Sequence, residues 1–174
     1  DSVENFSGYP GSPQLAWFVH NQVLENVRNG WDENWEDVGI ITRWLGETNP
    51  NSNSFMPSML LENGFHDNPD DAAYILEPEF RKLSARAAYV GLVKYYNHSV
   101  DGFDIDTIAP DPPTHFSAKT FGNGVAQLSW KAPEADTGDE LKGDAANSYR
   151  VYTSTNGYGF DNGVVVEDTN FLIE

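Results

Sequence analysis

The chain has 174 residues, 39% of them hydrophobic and 13% aromatic, which is enough apolar material for a core and too much for a disordered chain. Its formal charge of -17, from 27 acidic against 10 basic residues, argues against a nucleic acid or an anionic membrane surface as partner. The absence of cysteine excludes a disulfide framework and a thiolate metal site, and no apolar run reaches the length of a membrane span.

Residues 1–11 are turn-rich and carry little pattern. Ser12 reads as the cap of a helix with Pro13 at its first position, and Asn29-Gly30 as its end. Leu15, Val19, Val23 and Val27, with Phe18 beside them, give that helix one apolar face. Trp17 and His20 lie off the stripe, and no second ligand stands at helical spacing from His20. The acidic stretch from Trp31 to Asp37 holds two tryptophans. Val38 to Leu45, rich in β-branched residues, predicts a strand, and residues 49–54 a polar loop.

Ser58 to Leu61 predicts a second strand, buried on both faces as in a parallel sheet, with Glu62 at its carboxyl end, either where chemistry sits in such sheets or merely as the first solvated residue after the strand. A turn through Asn63-Gly64 follows, in which the glycine lets the chain bend sharply. Asn68 is a good N-cap, Pro69 suits the first helical position, and Asp70 and Asp71 suit the positive end of the helix dipole. A longer helix is predicted from about Pro78 to Tyr96. Phe80, Leu83, Ala87, Val90 and Val93 recur on one face, and Arg81, Lys82 and Arg86 form the solvated one. Strand, loop, strand and helix make an α/β arrangement.

Asn5 and Asn97 each begin a glycosylation-type triplet, a pattern short enough to arise by chance. Composition shifts after Asn97. Residues 99–112 are acidic and proline-bearing and read as a linker. Charge does not distinguish its two sides: up to Ile108 there are 6 basic and 17 acidic residues, and from Ala109 onward 4 and 10. Pattern does. Thr114 to Lys119, Val125 to Trp130 and Ser148 to Ser154 alternate between turn signals, including Asn156-Gly157 and Asn162-Gly163, and predict an antiparallel sandwich over residues 113–174. Trp130 is expected to be buried against Tyr149 or Val151.

The run Met56-Pro57-Ser58-Met59-Leu60-Leu61-Glu62-Asn63-Gly64-Phe65, followed by Asn68-Pro69-Asp70-Asp71-Ala72, resembles the last signature block of the zinc-dependent N-acetylmuramoyl-L-alanine amidases. That block reads Pro-x-hydrophobic-hydrophobic-x-Glu-x-Gly-Phe, then Asn-Pro-x-Asp, then a terminal helix ending in aromatic residues. The likeness holds in order and spacing over about forty positions; His66 stands where the family usually has an apolar residue. Pro112-Pro113, Leu128-Ser129-Trp130-Lys131 and Tyr149-Arg150-Val151-Tyr152 resemble a fibronectin type III domain, with Trp130 as its core tryptophan. Seven strands of such a sandwich occupy about 100 residues, whereas Pro113 to Glu174 spans 62.

The resemblances imply an α/β fold over residues 1–98, part of an amidase-like sheet with flanking helices, and an all-β sandwich over residues 113–174, both incomplete, the second with an open sheet edge. They imply a cell-wall hydrolase, exported from a bacterium, that cleaves the amide between N-acetylmuramic acid and L-alanine in peptidoglycan. Glu62 is its catalytic carboxylate and is expected to face a groove. The family's zinc is held by two histidines and a glutamate on segments upstream of this block. No stretch here resembles those segments, and His20, His66, His98 and His115 lack the close spacing of zinc motifs. The ligands are therefore expected outside this chain, on an upstream half or a separate chain. Loops corresponding to the Trp31–Asp37 region line the family's groove; Trp31 and Trp35 are open to either sugar stacking or packing, and Trp44 is expected to pack. The alternative is a non-catalytic wall-binding or adhesion protein on an amidase-like scaffold.

Overall fold

The computed structural model describes residues 9–135 and 143–173; the triplet at Asn5 lies outside them. The chain divides into two units, Asp1–Asp106 and Thr107–Glu174.

In the first unit, helix α1 (Ser12–Gly30) packs along helix α3 (Pro78–Ser99), with the short helix α2 (Pro69–Leu76) against α3. The four-residue stripe becomes the core: Leu15, Val19, Val23 and Val27 meet Phe80, Ala87 and Tyr95. The crossing is close because Gly91 of α3 lies against α1. A Cβ there would stand 2.7 Å from the Val19 Cα and 2.9 Å from the Phe18 carbonyl oxygen.

Helix starts follow the sequence with one shift. Asn68 caps α2, its side-chain oxygen accepting from the Asp70 N–H at 3.0 Å. At α1, however, Gly11 takes the cap position in a left-handed conformation, with φ of 92°. A side chain there would also run into the Tyr95 hydroxyl, 2.8 Å from a Cβ. Ser12 is instead buried, and its Oγ accepts a 3.0 Å hydrogen bond from the Ser58 N–H, tying the later segment to the helix.

The two strands expected in this unit do not form. Residues 36–45 and 57–63 have irregular backbone, and the described residues of the unit contain no sheet. Strand-forming composition favours an extended backbone, but a strand also needs a neighbour for its N–H and C=O groups. Nor is the second segment buried on both faces. Met59 and Leu61 pack against the helix core, while Leu60 between them is 46% exposed. The alternation of one face in and one face out belongs to an extended segment lying on a helical layer.

After α3 the chain turns back. The Asn97 side chain donates to the Ile105 carbonyl at 2.8 Å and accepts from its N–H at 3.0 Å, and Tyr96 stacks on Phe103 with centroids 5.0 Å apart. The first half of the stretch read as linker is thus clipped to α3.

The second unit is built from strands: β1 (Thr114–Gly122), β2 (Val125–Lys131), β3 (Tyr149–Val151), β4 (Val164–Val166) and β5 (Asn170–Ile173). β1, β2 and β5 form one antiparallel sheet in that order, and β3 and β4 a second. The β1–β2 turn uses Gly122, Asn123 and Gly124, all at positive φ, where glycine and asparagine carry the least steric penalty. Alternation on β2 sends Leu128 and Trp130 inward, and Trp130 meets Tyr149 edge-on with centroids 5.2 Å apart, as expected. β1 is a long sheet edge exposed along its whole length.

Candidate active site

Glu62 stands at the end of the extended segment that Ser12 and the helix core hold in place. The residues after it form a single locked turn. The Ser84 hydroxyl of α3 donates to the Asn63 side-chain oxygen at 2.6 Å. The Phe65 N–H donates to the Asp71 carboxylate at 2.8 Å. Gly64 fits here for a different reason than the sequence suggested. Its backbone is not in the left-handed region; rather, Asp71 lies so near that a Cβ at Gly64 would come within 3.1–3.3 Å of it. The first turn of α2 therefore folds back onto the turn after Glu62, and removal of the side chain at 64 allows that approach.

Glu62 itself is exposed, and no hydrogen bond or ion pair joins it to another described residue. An apolar groove of about 380 Å³ lies beside it, walled by α1, residues 56–61 and α3. Met59 and Leu61 line that groove but Glu62 does not, so the expectation that this carboxylate faces a groove is not met there. Met59 and Leu61 pack toward the helix core, whereas Leu60 and Glu62 are exposed on the other side of the segment.

The structure decides for packing at Trp31 and Trp35, which the sequence left open, and against it at Trp44. Trp31 and Trp35 pack on Phe80, with centroids 5.4 and 5.2 Å away, and both meet Tyr74. They are core-rim residues. Trp44, expected to pack, is 60% exposed, because the strand that would have carried it into a sheet does not form.

The histidines are dispersed. His20 on α1 lies 3.3 Å from the Asp37 carboxylate of the acidic loop. His66 is exposed in the turn before α2. His98 sits on the last turn of α3 against Phe18, centroids 5.1 Å apart. His115 lies at the irregular start of β1, 3.1 Å from the Thr114 hydroxyl. Among the described residues no three carboxylates or imidazoles come together in a way that could hold a metal ion. The donor set of the described residues does not fit a zinc centre.

Among the described residues, two groups depart from their usual acidity. Burial raises the Tyr95 phenol, reinforced by the neighbouring Tyr96. In the β unit, Asp161 is lowered, first by the Thr153 hydroxyl and then by the backbone N–H groups of Thr153 and Gly163. Neither is near Glu62 in the chain; both brace local structure. No helix of the described residues is long and apolar enough to cross a membrane. In comparisons with known proteins, the chain matches no family model, no curated protein and no solved structure.

Proposed function

We propose that the helical unit is part of a cell-wall amidase and that Glu62 is its proton-transfer carboxylate. The observation supporting this reading is the way the block after Glu62 closes on itself. Asn63, Asn68 and Asp71 each make a side-chain hydrogen bond, Asp71 to the Phe65 backbone N–H, and Gly64 leaves room beside Asp71; together they hold a solvent-facing carboxylate at the end of an extended segment. In the proposed reaction Glu62 takes the proton of the water that attacks the lactyl carbonyl. It then delivers that proton to the nitrogen of L-alanine as the C–N bond breaks. The zinc that the resemblance implies would be held by residues outside this chain.

The order β1-β2-β5 in one sheet, with β3 and β4 in another, is in keeping with a fibronectin-like sandwich, in which the first, second and fifth strands are neighbours. On that reading further strands would pair along the free edge of β3. The proposed setting is the exported wall space, with peptidoglycan as partner.

The test uses the full-length product of the coding sequence and its Glu62→Gln variant on purified peptidoglycan, with released stem peptides measured by mass spectrometry. A positioned general base is worth about 10²–10⁴ in rate, so the variant is expected to lose about that factor with zinc content and fold unchanged. Equal rates would remove Glu62 from the mechanism. Binding to peptidoglycan without release of stem peptides, by the unaltered protein, would favour the wall-binding alternative.

A further inference from the structure

Residues 57–62 have the alternation of a strand without a sheet. Met59 and Leu61 face the helix core, and Leu60 and Glu62 face outward. Ser58 N–H is taken by Ser12 Oγ, but Met59, Leu60, Leu61 and Glu62 make no backbone hydrogen bond to any described residue. Beside this open edge runs the groove of about 380 Å³, walled by Leu15, Val19, Met56, Met59, Leu61 and Leu92 among others. Helix cores usually bury such a face against a second layer, and an apolar depression beside unpaired extended backbone has the two elements of strand addition: main-chain groups for affinity and pockets for alternate side chains.

We propose that this edge and groove receive an extended strand from a partner polypeptide, with apolar residues at alternate positions and lysine or arginine between them. A strand satisfies the open backbone groups, whereas a helix, which closes its own hydrogen bonds, leaves them unpaired. Alternate apolar side chains, all on one face of the incoming strand, fill the groove. Charge selects the rest. Up to Ile108 the chain carries 17 acidic against 6 basic residues, and Glu62, Asp67, Asp70 and Asp71 follow directly on the edge. A cationic partner is attracted by that field, and a second copy of this chain, equally acidic, is repelled. The edge, the groove and the charge are present whether or not Glu62 is catalytic.

The experiment titrates the 174-residue chain with fluorescein-labelled synthetic peptides of alternating valine and lysine, followed by anisotropy. Two control peptides are used, one with glutamate for lysine and one with proline at alternate valines. The lysine peptide is expected to bind about tenfold or more tighter than either control, and to weaken as salt rises. Leu92→Glu and Met56→Glu change exposed lining residues and are expected to weaken binding about tenfold with helical circular dichroism unchanged. Because both add negative charge, unspecific attraction to lysine would be strengthened by them. The proposal is overturned by no binding, by equal binding of either control peptide, or by unchanged or tighter binding to the two variants. A dimer in equilibrium sedimentation that Leu92→Glu dissolves would overturn it in favour of a second copy.

Discussion

The two units leave opposite halves of the same problem open. In the helical unit side-chain packing is well developed, with seven buried residues in one cluster, yet two extended segments lie on the surface with unpaired backbone. In the β unit the ladders are made, with register shifts near both ends of β1, but the buried hydrophobic side chains of its described residues are only Leu128 and Trp130. Backbone pairing and apolar burial are therefore separable: a helix pair achieves burial with its hydrogen bonds already closed, whereas a two-sheet unit can pair its strands while its interior stays thin.

That contrast breaks most readily at Trp130. It carries a large share of the thin β core, and aromatic-to-alanine changes at buried sites cost about 3–5 kcal/mol. Trp130→Ala is expected to abolish the ordered near-ultraviolet signal of the β unit while the helical signal at 222 nm persists, as followed by circular dichroism. Loss of both signals together would show that the helical packing is not self-sufficient.

Next in size is Gly91→Ala. Alanine favours an isolated helix by about 1 kcal/mol, but the added methyl group would meet the Val19 Cα and the Phe18 carbonyl, backbone atoms that cannot swing aside. Overpacking of this kind costs about 1–3 kcal/mol, so the steric term outweighs propensity. Urea unfolding followed at 222 nm should show a lower midpoint; a raised midpoint would mean that the helices separate freely. Asn68→Ala removes the cap of α2 and is expected to cost about 1 kcal/mol, again read from the urea midpoint, with the β unit unaffected.

The smallest effect sharpens the comparison through pH. Burial raises the Tyr95 phenol above its ordinary 10.0, so the unfolded chain releases this proton before the folded one does. The stabilisation is fully present below pH 10 and is lost as pH rises through the folded value. Unfolding of the helical unit between about pH 9 and pH 11 should show a downward slope that is reduced in Tyr95→Phe. An identical slope in the variant would assign it to other groups.

Much of the helical layer was legible in the sequence because a helix closes its hydrogen bonds within four residues and announces its buried face by spacing. Leu15, Val19, Val23 and Val27 on α1, the Asn68-Pro69 start of α2 and the Pro78 start of α3 all follow from local rules. β2 was legible too, since its alternation and the glycine-rich turn before it are local. The candidate site was legible as a run of residues ending in Glu62, but not as a geometry.

Tertiary structure alone decided what needed a distant partner. Residues 38–45 and 58–61 have strand composition, but a strand takes its hydrogen bonds from elsewhere in space, and no described segment supplies them. That one fact leaves Leu60 and Trp44 exposed. Ser12, read as a cap, was drawn inward to hold Ser58; Gly64, read as a hinge, proved to be a space left for Asp71. Trp31 and Trp35 became packing residues only because Phe80 and Tyr74, more than forty positions later for three of the four pairings, come to lie beside them. Composition and spacing determine what a segment can bury along its own length, and the three-dimensional arrangement determines which neighbour it is buried against.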